Sequence, residues 1–192
     1  MRPLAPLFMV LTVLVIGCGP TGKQGKEEEK KAMENSQFAE LMTRPDIDSA
    51  VKRYEELRAK IRSRLVDAKF LASWQERPDS SGGGGCSRDF PEVTSDDARF
   101  LALPTWRSDG NLPDGKWDAA VAAVTEIARQ YGFGDPKTVV NRPSDHEVST
   151  RDGYGAELLF GTAKNTILTL TTGCHLTAAA HQRGTPTAKP TY

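Results

Sequence analysis

The sequence predicts an α+β fold: a two-layer sandwich, with two helices packed on one face of a mostly antiparallel sheet of about four to five strands. Three observations carry this. Two segments, near 46–68 and 117–131, place apolar residues at three- and four-residue steps, the period of a helix with one buried side. Residues 156–160 and 166–171 are short runs rich in Leu, Ile, Phe and Thr, joined by Gly161-Thr162-Ala163-Lys164-Asn165, which reads as a hairpin. The order helix, two strands, helix, three strands suits helices segregated to one side of an antiparallel sheet.

The first helix starts at Asp46 or Asp48, either of which suits an N-cap. Its apolar side is Ile47, Val51, Tyr54, Leu57, Ile61, Leu65 and Ala68. Its other side is basic, with Lys52, Arg53, Arg58, Lys60, Arg62 and Arg64. That reads as a solvated face eased by pairs such as Glu56 with Lys60, the sharper alternative being contact with anionic lipid headgroups. Residues 69–75 then read as a strand, followed by a loop ending in Gly82-Gly83-Gly84-Gly85-Cys86. Four glycines invite comparison with a phosphate cradle, but no Lys-Ser or Lys-Thr follows and no helix begins there. A flexible loop pinned at Cys86 is the expectation. Residues 99–104 read as a second short strand, with Pro104 marking its end or a sheet edge.

The second helix follows Pro113-Asp114-Gly115, with Trp117, Ala120, Val121, Val124, Ile127, Ala128 and Tyr131 on one stripe. Gly132 supplies the left-handed position after it, and Phe133 folds back on the last turn. Residues 138–140, a polar turn at 143–145 and an extended piece at 146–150 lead into the hairpin. On the last strand Leu168, Leu170, Thr172 and Cys174 share a face, which places the cysteine inward. The opposite sheet face carries Leu159 and Ile167 among polar residues and is expected to be partly exposed.

Around this single domain at 46–180 lie segments of other character. Residues 7–16 are a short apolar run behind Arg2, and Gly17-Cys18-Gly19-Pro20 follows. Ten residues span about 15 Å as a helix, half of the roughly 30 Å of a hydrocarbon core. The run therefore reads as a signal peptide over 1–17, and Val15-Ile16-Gly17-Cys18 fits a bacterial lipobox, with Cys18 acylated after cleavage. Two or more acyl chains give stable anchoring, which places the protein on the outer face of the cell membrane, with membrane lipid as its first partner. Residues 18–45, with Glu27-Glu28-Glu29-Lys30-Lys31 at their centre, read as a flexible tether spanning on the order of 30 Å, transiently helical at most from Glu27 to Met42, where Phe38, Leu41 and Met42 cluster late. The tail from 181 to 192 is expected to be disordered.

The chain has three cysteines. With Cys18 lipidated, Cys86 and Cys174 are the even pair expected outside the cytoplasm, and a metal site would need more ligands at short spacing. Removal of residues 1–17 deletes one charge, Arg2, leaving 24 basic against 25 acidic side chains. So neutral a chain lacks the positive field of a nucleic-acid binder.

Tests for chemistry return little. His146-Glu147 opens like a zincin helix, but Thr150 stands where the second His is needed. Gly153-Tyr154-Gly155 opens like a dinucleotide fingerprint, but Leu158 replaces the third glycine. There is no Gly-x-Ser-x-Gly elbow, and the adjacent acids Asp96 and Asp97, far from any His, read as a turn or a helix start. No cofactor and no catalytic residue are expected. A small envelope hydrolase or metal enzyme is the competing reading, and it needs His146 and His175 to meet, with His181 folded back, beside a carboxylate such as Asp145 or Glu147.

The lipobox, the closing segment Leu168-Thr169-Leu170-Thr171-Thr172-Gly173-Cys174-His175-Leu176, the helix ending Ala128-Arg129-Gln130-Tyr131-Gly132 and the strand start Gly153-Tyr154-Gly155-Ala156-Glu157-Leu158 together resemble the mycobacterial LppA-type lipoproteins over residues 47–176. That resemblance implies location and fold, with no assigned activity. The function expected is a non-enzymatic envelope module that binds a lipid or a partner protein.

Overall fold

The computed structural model describes residues 22–188. Its helices are α1 (Gly22–Met42), α2 (Ile47–Asp67), α3 (Asp114–Gln130) and the short α4 (Ala178–Arg183). Its strands are β1 (Gln75–Arg77), β2 (Gly82–Gly85), β3 (Ala98–Ala102), β4 (Thr105–Asp109), β5 (Lys137–Arg142), β6 (Asp145–Arg151), β7 (Glu157–Thr162), β8 (Asn165–Thr171) and β9 (His175–Leu176). All named strand pairs are antiparallel, in the order β1-β4-β8-β7-β6-β5, with β3 also joining β2, β8 and β9. The α+β class with helices packed against an antiparallel sheet holds. The sheet has nine strands rather than four to five, because short strands of two to five residues, too brief for a periodic signal, complete one end of it.

The main core lies between the sheet and α2 with α3. Ala50, Tyr54, Leu57, Ile61 and Leu65 of α2 meet Trp117, Ala120, Val124 and Ala128 of α3 over Leu158, Phe160, Leu168 and Leu170. Both helices end as the sequence requires. Asp46 caps α2, its carboxylate accepting from the amides of Asp48 and Ser49 at 3.0 Å. Gly132 takes φ +85° after α3, and the Phe133 amide turns back to the Ala128 carbonyl at 3.2 Å with its ring buried, the contact a left-handed C-terminal motif uses.

Four expectations are corrected. Residues 69–74 are not strand: Lys69 adopts φ +58° and Phe70 donates back to the Leu65 carbonyl, closing α2. Phe70, Leu71 and Trp74 supply their apolar surface to the main core from this turn. Arg58 is not on a solvated face; it is fully buried, donating to the Pro104 carbonyl at 2.8 Å and pairing with Glu55 at 3.3 Å. The glycine run is not a loop but strand β2, paired with β3 in register.

The fourth correction concerns the flanks. The segment expected as a tether over 18–45 is helical from Gly22 to Met42, and Phe38 and Leu41 are buried. They join Cys86, Phe90, Val93, Ala98, Cys174, Leu176 and Ala180 in a second core. Burial of these late apolar residues holds the helix that its charged first turns alone would not. The tail is likewise ordered as far as Thr187. Asp97, 1% exposed, accepts from the Thr187 amide at 2.8 Å and hydroxyl at 2.6 Å, and pairs with Arg183. The signal segment, Cys18 and the last four residues lie outside the described residues.

Burial alone would raise the Asp97 pKa, but the Thr187 bonds and then Arg183 outweigh it and hold the carboxyl below its ordinary value. A depressed folded pKa contributes stability that is present above the unfolded value of about 4 and lost as pH falls through the folded one. Asp97→Asn is therefore expected to cost about 1–3 kcal/mol near neutral pH and to flatten the loss of stability on acidification. Thermal melts across that range, with hydrogen exchange of residues 183–187, check both effects.

Candidate functional site

A half-open cleft of about 830 Å³ lies on the side of the sheet away from α2 and α3. Five separated segments build it: the end of α1, the turn after β2, β3, the β6–β7 connection and the run after β8. The Cys86–Cys174 disulfide sits in its wall, with Cα atoms 5.9 Å apart and both residues nearly fully buried. Sequence parity placed Cys174 on the face of Leu168 and Leu170. It is inward, but in the second core, because β8 leaves the ladder after Thr171.

Arg44 organises the cleft. One guanidinium nitrogen donates to the carbonyls of Tyr154 at 3.0 Å and Cys174 at 3.1 Å, and the other to the Glu40 carboxylate at 2.7 Å. Its plane also lies against the rings of Phe90 and Tyr154, 5.0 and 6.0 Å from their centres. The β6–β7 connection is held from beneath by Asp152. That carboxylate accepts from the amides of Tyr154 and Ala156 at 2.9 Å and from the Tyr54 hydroxyl at 2.5 Å. Burial, then Asp152, push the Tyr54 pKa far upward, so the hydroxyl stays a donor. Opposite it, Gly173 has no room for a side chain: a Cβ there would fall 1.8 Å from the Tyr154 carbonyl oxygen.

The histidines do not assemble. His146 stacks on Trp117 with centroids 5.2 Å apart, and its ring nitrogens lie 2.9 Å from Asn141 Oδ1 and 3.1 Å from Asp114 Oδ1. The Ser144 amide, then His146, hold the Asp114 carboxyl below its ordinary pKa; together they clamp the start of α3 to the β5–β6 turn. His175 is fully buried on β9, with Nδ1 2.8 Å from the Pro45 carbonyl, and burial lowers its pKa. His181 Nε2 lies 3.1 Å from the Arg44 carbonyl. His175 and His181 thus fasten the α1–α2 link, while His146 serves another end of the sheet. Glu147 lies over Gly161, and Thr150 donates to the Gly134 carbonyl. Among the described residues no group of His, Cys, Asp and Glu is placed to hold a metal ion.

In the sequence the cysteine pair was the chief pointer to this cleft, with Gly173 before Cys174 and the Gly153-Tyr154-Gly155 run as weaker traces. Phe100 stood out only as part of the short strand at 99–104, and Arg44 and Phe90 gave no signal, being single residues in unpatterned segments.

The arrangement of helices, sheet and disulfide can be set against known proteins. The family profile of LppA, described as a lipoprotein confined to pathogenic Mycobacterium, matches residues 22–178. The chain belongs to the LppA family. The fold is also that of the crystal structure of LppA from Mycobacterium tuberculosis, with a TM-score of 0.67 and 17% sequence identity over 88% of this chain and 100% of that one. No curated protein matches the chain. Among the described residues, no helix is long and apolar enough to cross a membrane.

Two outcomes follow for this region. Gly173→Ala forces backbone apart at Tyr154 and is expected to cost about 1–3 kcal/mol or more by overpacking, with faster amide exchange across residues 152–156 as its local signature. Replacing Cys86 and Cys174 together by Ala releases a constraint between residues 88 apart in sequence and is expected to cost up to about 4–5 kcal/mol. Chemical denaturation of the unreduced chain beside the double variant measures that difference.

Proposed function

We propose that this LppA-family chain is held on the outer face of the cell membrane by acyl chains on Cys18, and that its folded part is a non-enzymatic module binding a partner protein. The observation that carries the second half is the cleft. Four of its charged side chains are paired within its own architecture, Arg44 with Glu40 and Arg151 with Glu157 at 3.3 Å, Arg88 and Asp89 complete its charged lining, and no histidine lines it. It is open and polar-rimmed with aromatic walls at Phe90, Phe100 and Tyr154. A lipid carrier needs a closed apolar cavity; an open cleft of mixed lining suits a protein surface.

The test has two parts. Cys18→Ser is expected to move the protein from the membrane fraction to the soluble fraction, and a wild-type chain found soluble would sink the anchor. A photo-crosslinking residue in place of Tyr154, compared in intact cells with one in place of Lys60 on α2, is expected to yield protein adducts at the cleft alone. A lipid-mass adduct retained in native mass spectra of the Cys18→Ser chain would replace the protein-binding reading with lipid carriage.

A further inference from the structure

Among the described residues three exposed strands, β5, β1 and β2, border the sheet, and they are not defended alike. β5 carries a bulge at Val139, where its register with β6 shifts between Thr138 and Val140, and it is flanked by Lys137 and Arg142. β1 offers only Gln75, Glu76 and Arg77 before Pro78 ends it. Bulges, charges, brevity and proline are the means by which a sheet edge avoids pairing with another chain. β2 is nearly as short, at four residues, but carries no bulge, charge or proline. Its register with β3 is unbroken from Gly82 opposite Ala102 to Gly85 opposite Arg99, its residues are all exposed, and β3 is its one strand neighbour among the described residues.

We propose that β2 is the docking edge for an extended segment of a partner protein, apolar over about four residues, which adds to the sheet as a further strand. This rests on the binding-module reading above and names how the partner is held. The side chains of β3 argue for an apolar occupant. A Cβ on Gly83 would stand 2.8 Å from Leu101 Cδ2, and one on Gly84 3.1 Å from Phe100 Cε1. Neighbouring residues of a strand point to opposite faces, so Leu101 and Phe100 lean over the glycines from the two sides, and both are only partly buried. A strand beyond β2 would lie about 4.8 Å from it and bring its side chains alongside these two. At each of these glycines the large side chain of the paired β3 residue takes up the space that a Cβ would need, the situation in which a neighbouring large side chain covers an edge glycine.

A second copy would offer the same four glycines and little apolar surface of its own, short of what a stable dimer buries. The edge also leads into the cleft, since Gly85 and Phe100 belong to its wall. The disulfide at Cys86, the residue after β2, holds that end of the strand. Part of the ordering cost of a glycine run is therefore met before a partner arrives.

The test pans a random peptide library against the full mature chain carrying Cys18→Ser, then follows amide exchange of Gly82–Gly85 with a selected peptide bound. Peptides with an apolar centre are expected, and those amides should slow. N-methylation of the peptide at alternate positions should weaken binding about tenfold or more in one phase and little in the other, a readout independent of any change to the protein. Phe100→Ala should weaken the same peptides. Bound peptide with unchanged exchange at Gly82–Gly85 overturns strand addition and leaves the cleft as a binding surface. A library that returns nothing above bare support, or protection that appears with protein concentration alone, overturns it as well, the latter by assigning the edge to a second copy.

Discussion

The architecture turns on the point where the chain abandons one ladder and joins another. β7 and β8 stay paired as far as Glu157 opposite Thr171. There the β6–β7 connection folds against the backbone of Gly173, so close that only glycine fits. Thr172 repairs the break: its amide donates to the Leu101 carbonyl at 2.8 Å, while its hydroxyl accepts the Leu101 amide at 2.9 Å in place of a main-chain oxygen. A buried amide left without an acceptor would cost about 1–3 kcal/mol, so this hydroxyl is what makes the departure tolerable. The chain then resumes as β9 against β3, carrying Cys174 to Cys86. Two cores, a disulfide and a cleft between two parts of one sheet follow from that step.

The cleft wall is consequently a set of backbone segments without a ladder of their own. Polar side chains hold them instead, and each needs near-complete satisfaction because it is largely shielded from water. Asp152 spends both oxygens on three donors, and Arg44 spends its planar fork on three acceptors while stacking on two rings. Arginine suits this place because it keeps its charge and offers fixed, in-plane donors, where lysine would offer a single point charge. Tyr54 links this polar layer to the main core, so the cleft and the helix layer are not independent units.

Which parts were legible in the sequence follows from the range of the signal each part leaves. α2 and α3 show themselves over four or five turns of apolar repeat, with a cap at Asp46 and a stop at Gly132, all local facts. The β7–β8 hairpin is local as well. The glycine strand leaves no pattern, since glycine has no side chain to alternate; its pairing is decided by Phe100 and Leu101, more than a dozen residues away. Residues 69–74 carry the composition of a strand, but the need to close α2 at Lys69 outweighs a weak propensity. Arg58 looked like one of six exposed cations until Pro104 and Glu55 were brought beside it. α1 misled because composition averages over a segment, whereas three apolar residues in its last turns decide its fate by burial against a core formed from the far end of the chain. The cleft was the least legible of all, assembled from five segments in which only the cysteines had chemistry to advertise.

The order found in α1 changes how the proposed anchor would act. A coil between lipid and fold would let the domain sample every orientation above the bilayer. A helix of 21 residues, about 30 Å at 1.5 Å per residue, fixed at its end by Phe38, Leu41 and Arg44, instead couples the folded part to the few residues that separate Gly22 from Cys18. Arg44 closes that helix and also shapes the cleft, so the element leading from the anchor and the proposed binding surface share a residue. Confinement beside a membrane raises the effective concentration of any partner held on the same surface. Under that condition a shallow, open site with a backbone edge can serve where a freely diffusing module would need a deep pocket.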